Sequence, residues 1–162
     1  MRTVQWLYLV SVLLFISGIG FVIAGARSAR AAMPPAEAPA TTPIASIKQI
    51  MNGIVLPDAT IIYNAVGTIV TVNGVEETAP ETDADWAKVA NSAAAVIESG
   101  NLMLMGERAI DRGDWVKMTR DFMEQGKLAL KAAEAKDKDG IVSAGGDLNT
   151  TCDNCHARYQ RQ

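Results

Sequence analysis

Cys152-Asp153-Asn154-Cys155-His156 places two thiols and an imidazole within five residues. The whole chain has 2 cysteines and 1 histidine, and all of them lie in this segment. On a helix, positions i, i+3 and i+4 share one face. Thiols at that spacing can each add across a vinyl group of one porphyrin to form thioethers. The neighbouring imidazole can then bind the iron from one side. C-x-x-C-H is accordingly the attachment motif of covalent c-type haem. On this reading Cys152 and Cys155 anchor one haem c, and His156 is the proximal axial ligand of its Fe.

Rival chemistries each miss a part. Structural zinc wants four ligands, so a carboxylate would have to complete a Cys/His set. A thiol–disulfide reagent wants its C-x-x-C in a βαβ setting. A structural disulfide closing so short a loop stabilises little. A non-haem Cys/His metal-binding module is the second alternative. No Ser-His-Asp set, phosphate loop or paired carboxylate stands out, so a carrier is expected in preference to an enzyme.

The sixth iron position decides what such a haem does. With one histidine, bis-histidine ligation is impossible, which leaves a sulfur ligand, a weak ligand or none. Choosing among the methionines requires the elements that place them. Ile44, Ile47, Met51, Ile54, Asp58, Ile61 and Ala65 recur at alternating three- and four-residue steps, a helical stripe that Pro57 should kink or divide. Residues 68–78, TIVTVNGVEET, place β-branched residues around Asn73-Gly74 and predict a short β-hairpin. Thr82 and Asp85 resemble a capping box opening a helix with the stripe Trp86, Val89, Ala93, Val96, Gly100 and Met103. Asp114 is a candidate N-cap for a third helix, with the stripe Trp115, Met118, Phe122, Gly126, Ala129 and Ala133. After the turn at 136–140, Asp137 or Asp139 caps a fourth, with the stripe Ile141, Gly145, Leu148, Cys152, Cys155 and Tyr159.

Each helix is about 22 residues, roughly 33 Å long. Four of them with mostly short connections predict an all-α fold, an antiparallel up-down-up-down four-helix bundle spanning 44–162. In that topology helix one begins at the end where helix four finishes, so Met51 faces His156 at a similar height. Met103, Met105 and Met118 lie near that height too, and core methionines commonly just fill gaps. The stripes are rich in Ala and Gly, and the aromatics past residue 31 are only Tyr63, Trp86, Trp115, Phe122 and Tyr159. A flat cofactor would supply the missing volume, although small residues also let helices approach closely. Trp86 and Trp115 are expected as core anchors at opposite ends, Lys48 as a solvated lysine, and Arg158 and Arg161 as solvated charges or partners of a haem propionate.

Residues 6–26 carry no charge. This stretch can cross a bilayer as a helix. Ala24-Gly25-Ala26 and Ala29-Arg30-Ala31 also fit small-x-small cleavage sites. Residues 1–31 therefore read as a membrane anchor or a cleaved signal, and both send the rest into the periplasm, tethered to the inner membrane if uncleaved. Residues 32–43, AMPPAEAPATTP, read as a semi-stiff linker. The 15 basic and 18 acidic groups give a net charge of −3. Arg2, Arg27 and Arg30 precede the linker with no acid beside them, which leaves 32–162 at −6. A chain so charged is not expected to bind nucleic acid.

The motif in the last of four helices, with CHARY at 155–159, resembles the class II cytochromes c, the cytochrome c′ group and its low-spin relatives. The resemblance covers 44–162, about three-quarters of the chain. The family often places a basic residue after the aromatic, where this chain has Gln160. The resemblance implies a choice for the sixth ligand. Low-spin members carry an axial methionine on the first helix, in a stretch like SIKQIM at 46–51, which points to Met51 as the distal ligand. Gas-binding members have a non-ligating apolar residue there. The function implied is one-electron transfer with redox partner proteins through a His/Met-ligated iron. A five-coordinate, NO- or CO-binding iron is the alternative, and the resemblance allows a homodimer through helices one and two.

Overall fold

The computed structural model describes residues 2–32 and 41–160. The chain divides into two units that meet between Thr41 and Thr42. The first holds helix α1 (Arg2–Ala32). Its Thr3–Ala26 stretch has 24 residues with a mean hydropathy of 2.5, long and apolar enough to cross a membrane. Of the expected linker, residues 33–40 lie outside the described residues.

The second unit is mostly helical: α2 (Ile47–Ile50), a π-helical turn (Met51–Val55), α3 (Leu56–Tyr63), strands β1 (Gly67–Thr71) and β2 (Gly74–Thr78), then α4 (Asp83–Leu104), α5 (Asp114–Glu134) and α6 (Lys138–Tyr159). Ser46 opens α2 with a capping box: Gln49 N donates to Ser46 Oγ at 3.3 Å, and Ser46 N donates to Gln49 Oε1 at 2.9 Å. The sequence reading passed over this S-x-x-Q pattern.

Pro57 stands in the first turn of α3, and the helical stretch divides just before it, as expected. It has no N–H for a partner four residues back. The turn before it widens instead, so that Leu56 N donates five residues back to Met51 O. The wide turn shifts the helix phase, and the buried seam steps from Ile50 to Val55, then to Ala59 and Ile62. This corrects the expected stripe. Ile44 is 93 % exposed, and Ile47, Met51, Ile54, Asp58, Ile61 and Ala65 flank the seam, half-buried. This first helical stretch is also shorter than expected, ending at Tyr63, with Gly67 already in β1.

The hairpin forms as the sequence predicts, antiparallel from Gly67↔Thr78 to Thr71↔Gly74. Gly74 takes φ +138°, a conformation that L side chains rarely adopt. Thr82 and Asp85 make the capping box of α4, and all six expected stripe residues of that helix are buried. The N-terminus of α5 departs from expectation. Asp114 is the first helical residue, and the carboxylate that caps is Asp111, whose Oδ1 accepts from Gly113 N at 2.9 Å and Trp115 N at 3.0 Å. Asp137 caps α6, its Oδ1 accepting from Gly140 N at 3.0 Å.

α4 packs along α5 and α5 along α6, while α3 lies against both α4 and α6. The main core gathers Ile50, Ile62, Val96, Met103, Trp115 and Leu148, and a smaller cluster gathers Trp86, Val89, Ala133 and Ile141. The two tryptophans therefore sit in different clusters, as expected.

Candidate functional site

Helix α6 carries the motif on its last turns. Cys152 and Cys155 are half-buried free thiols and His156 is exposed. Among the described residues no hydrogen bond or ion pair engages the His156 imidazole. The i, i+3, i+4 face expected from sequence is thus present on one continuous helix.

Burial pushes the Cys152 thiol above the ordinary range, against a hydrogen bond from Tyr63 that lowers it. Burial, and then Cys152 itself, pushes Cys155 up as well. Reactive cysteines have depressed pKa values in electropositive settings. Burial shifts these two in the opposite direction, which argues against a thiol-exchange centre.

Tyr63 enters the site unforeseen. Its hydroxyl lies 3.8 Å from Cys152 Sγ, across 89 residues of sequence. Burial and then the proximity of Cys152 push its own pKa upward. Tyr63 is the one aromatic residue on the first helical stretch, and antiparallel packing of that stretch on α6 is the signal that could have found it. Beside it runs a groove of about 230 Å³ between α3 and α6, with Ile62, Tyr63 and Val66 on one wall and Ile141, Gly145, Gly146 and Asn149 on the other. A Cβ on Gly145 would lie 3.6 Å from the Tyr63 ring, and one on Gly146 would meet nothing within 4 Å.

The structure gathers several of the expected ligands around one core. Met51, half-buried at the start of the π-helical turn, packs against the same cluster as Cys152 and Tyr159. Met103 lies inside that cluster, and its carbonyl accepts from Trp115 Nε1 at 3.2 Å. Met105 caps α4, with its Sδ 4.0 Å from Arg108 Nη1. Met118 is half-buried on α5 and Lys48 is exposed. Arg158 is exposed, as expected, and pairs with Asp114 at 2.6 Å, and Arg161 lies outside the described residues.

The residues present fit a covalently attached haem. Two free thiols and an unengaged imidazole share one helix, and Met51 packs against the same core cluster as Cys152. Among the described residues there is no group of three or more His, Cys, Asp or Glu that could hold a metal ion. No family model, no curated protein and no solved structure matches this chain.

Proposed function

We propose that the chain is a monohaem c-type cytochrome of the class II kind, carrying single electrons in the periplasm. Residues 44–162 close as an antiparallel four-helix bundle, with α1 as export signal or inner-membrane anchor. The observation that carries this reading is the set of two free thiols and the sole imidazole on one face of α6. Cys152 and Cys155 would hold the porphyrin through thioethers, and His156 would ligate its iron. Met51 would supply a second, thioether ligand, and Ile62, Tyr63 and Val66 would shield the attachment site from water. When bound, the haem supplies a one-electron iron couple, and Met/His ligation raises its potential. Six-coordination leaves no open position, so the partners are redox proteins and not small substrates.

Expressed with a cytochrome c maturation system, the protein is expected to gain the mass of one haem. On reduction it should show sharp α and β bands. Unchanged mass with no Soret band would overturn the haem reading. Broad bands that respond to CO would remove Met51 as ligand and leave a five-coordinate, gas-binding cytochrome. Met51→Ala should abolish the sulfur-to-iron charge-transfer band of the ferric protein. Loss of that band in Met103→Ala but not in Met51→Ala would reassign the ligand.

A further inference from the structure

Helix α6 is anchored unevenly. Ile141, Ala144, Gly145 and Leu148 are fully buried, and among the described residues none on this helix is fully buried beyond Leu148. The turns that carry the cysteines and His156 therefore lack the packing that holds the first half. Helix ends held only by solvent-exposed hydrogen bonds fray at little free-energy cost. An axial ligand on a fraying turn would not keep one orientation toward its metal.

Something else holds this end. The Tyr159 hydroxyl, one turn past His156, donates a hydrogen bond to Asp111 Oδ2. Asp111 is itself fixed, because its other oxygen accepts from Gly113 N and Trp115 N at the start of α5. The Tyr159 ring meets the Trp115 indole edge-on, with centroids 5.1 Å apart and planes at 81°. Trp115 in turn donates from Nε1 to Met103 O at the end of α4. Next to Tyr159, Arg158 bonds Asp114 at 2.6 Å and lies over the Tyr159 ring, with its Cζ 5.6 Å from the centroid. The exposed Arg158–Asp114 pair contributes little by itself. Together with the Tyr159 hydrogen bond and ring contact, it attaches α6 at two adjacent positions, which restricts rotation of the helix about its own axis.

We propose that Asp111, acting through the Tyr159 hydroxyl, is a positioning residue for His156: the pair clamps the last turn of α6 to the start of α5 and so fixes the axial histidine. This rests on the haem reading above. His156 lies three residues before Tyr159, so the clamp sets how far the turn can unwind and which way the imidazole faces.

The test uses the full chain with Tyr159→Phe, which removes one oxygen and keeps the ring, together with Asp111→Asn and the double variant. In haem-free protein, amide exchange over 155–160 should quicken about tenfold in Tyr159→Phe, the scale of one hydrogen bond to a charged group. Exchange over 141–148 should be unchanged. In matured protein, Tyr159→Phe should keep its covalent haem by mass, while its ferric spectrum becomes a mixture of low- and high-spin forms. The double variant should be no worse than the worse single variant, because both remove the same bond. Wild-type exchange over 155–160, or a wild-type ferric spectrum with faster exchange, would overturn the clamp as a positioning device. Absence of haem from the wild-type protein would overturn the haem reading instead, and the exchange result would still be read.

Discussion

Two helix seams in this unit use glycine for opposite purposes. Between α4 and α5, glycine lets the helices touch. A Cβ on Gly100 would fall 2.2 Å from Met123 Cγ, and one on Gly126 would fall 2.9 Å from Ile97 Cγ1. Between α3 and α6, glycine leaves room. Gly145 keeps ordinary contact distance from Tyr63, Gly146 faces open space, and the groove of about 230 Å³ runs beside them. Mid-helix glycine costs about 1 kcal/mol relative to alanine. The closed seam offsets that cost by packing, whereas the open seam offsets it by nothing visible in the protein alone. Such an imbalance beside two free thiols is what a helix would show if a bulky group were to fill the space.

The sharpest way to break this comparison is to add one methyl group to each seam. Gly100→Ala drives a carbon into Met123, and overpacking of that kind costs about 1–3 kcal/mol against a propensity gain of about 1. Chemical denaturation should show a net loss of up to about 2 kcal/mol. In a Met123→Ala background the same change should become stabilising, because the colliding atoms are gone. If Gly100→Ala stabilises the native background too, the α4–α5 seam is not closed by contact.

The mirror experiment is Gly146→Ala. With no atom in reach of the new Cβ, the haem-free protein should gain about 0.5–1 kcal/mol from helix propensity. A loss of stability on denaturation would show that this side of α6 is already filled.

Much of this contrast was legible beforehand. Small residues suit either close helix contact or open space; Gly100 and Gly126 serve the first, and Gly146 borders the second. The stripe of α4 and its Thr82–Asp85 cap follow directly from local pattern, because nothing interrupts the helical period between Asp83 and Leu104. The first helical stretch misled, because Pro57 acts on the turn before it and moves the buried face by one residue. A count at a fixed 3.6-residue period cannot register that shift. The cap of α5 was placed on Asp114 because DRGD offers two aspartates, and which one reaches the free N–H groups depends on how Gly113 turns. The motif residues were found from spacing alone. Tyr63 and Asp111 were not, since each joins the site across a long stretch of chain.

The smallest expected effect concerns the C-terminal end of α6, which the Asp111–Tyr159 clamp ties to the start of α5. The Tyr159 hydroxyl, followed by the Trp115 N–H, holds the Asp111 carboxyl below its usual range. The hydrogen bond to Asp111, followed by burial, holds Tyr159 above its own. With Asp111 depressed, the unfolded chain takes up protons first as pH falls, so stability is present above the ordinary aspartate pKa of about 3.9 and is lost below it. With Tyr159 raised, the unfolded chain releases its proton first as pH rises, so stability is present below about 10 and is lost above it. Tyr159→Phe removes the tyrosine titration and the largest cause of the aspartate shift. Its melting temperature should therefore vary less with pH than the wild type at both extremes. Asp83, Asp85 and Tyr63 keep shifts of the same directions, so some slope should persist. Parallel curves for the two proteins would mean that Tyr159 and Asp111 do not share a proton-sensitive bond. The end of α6 would then be held by the Trp115 ring contact and the Arg158–Asp114 pair.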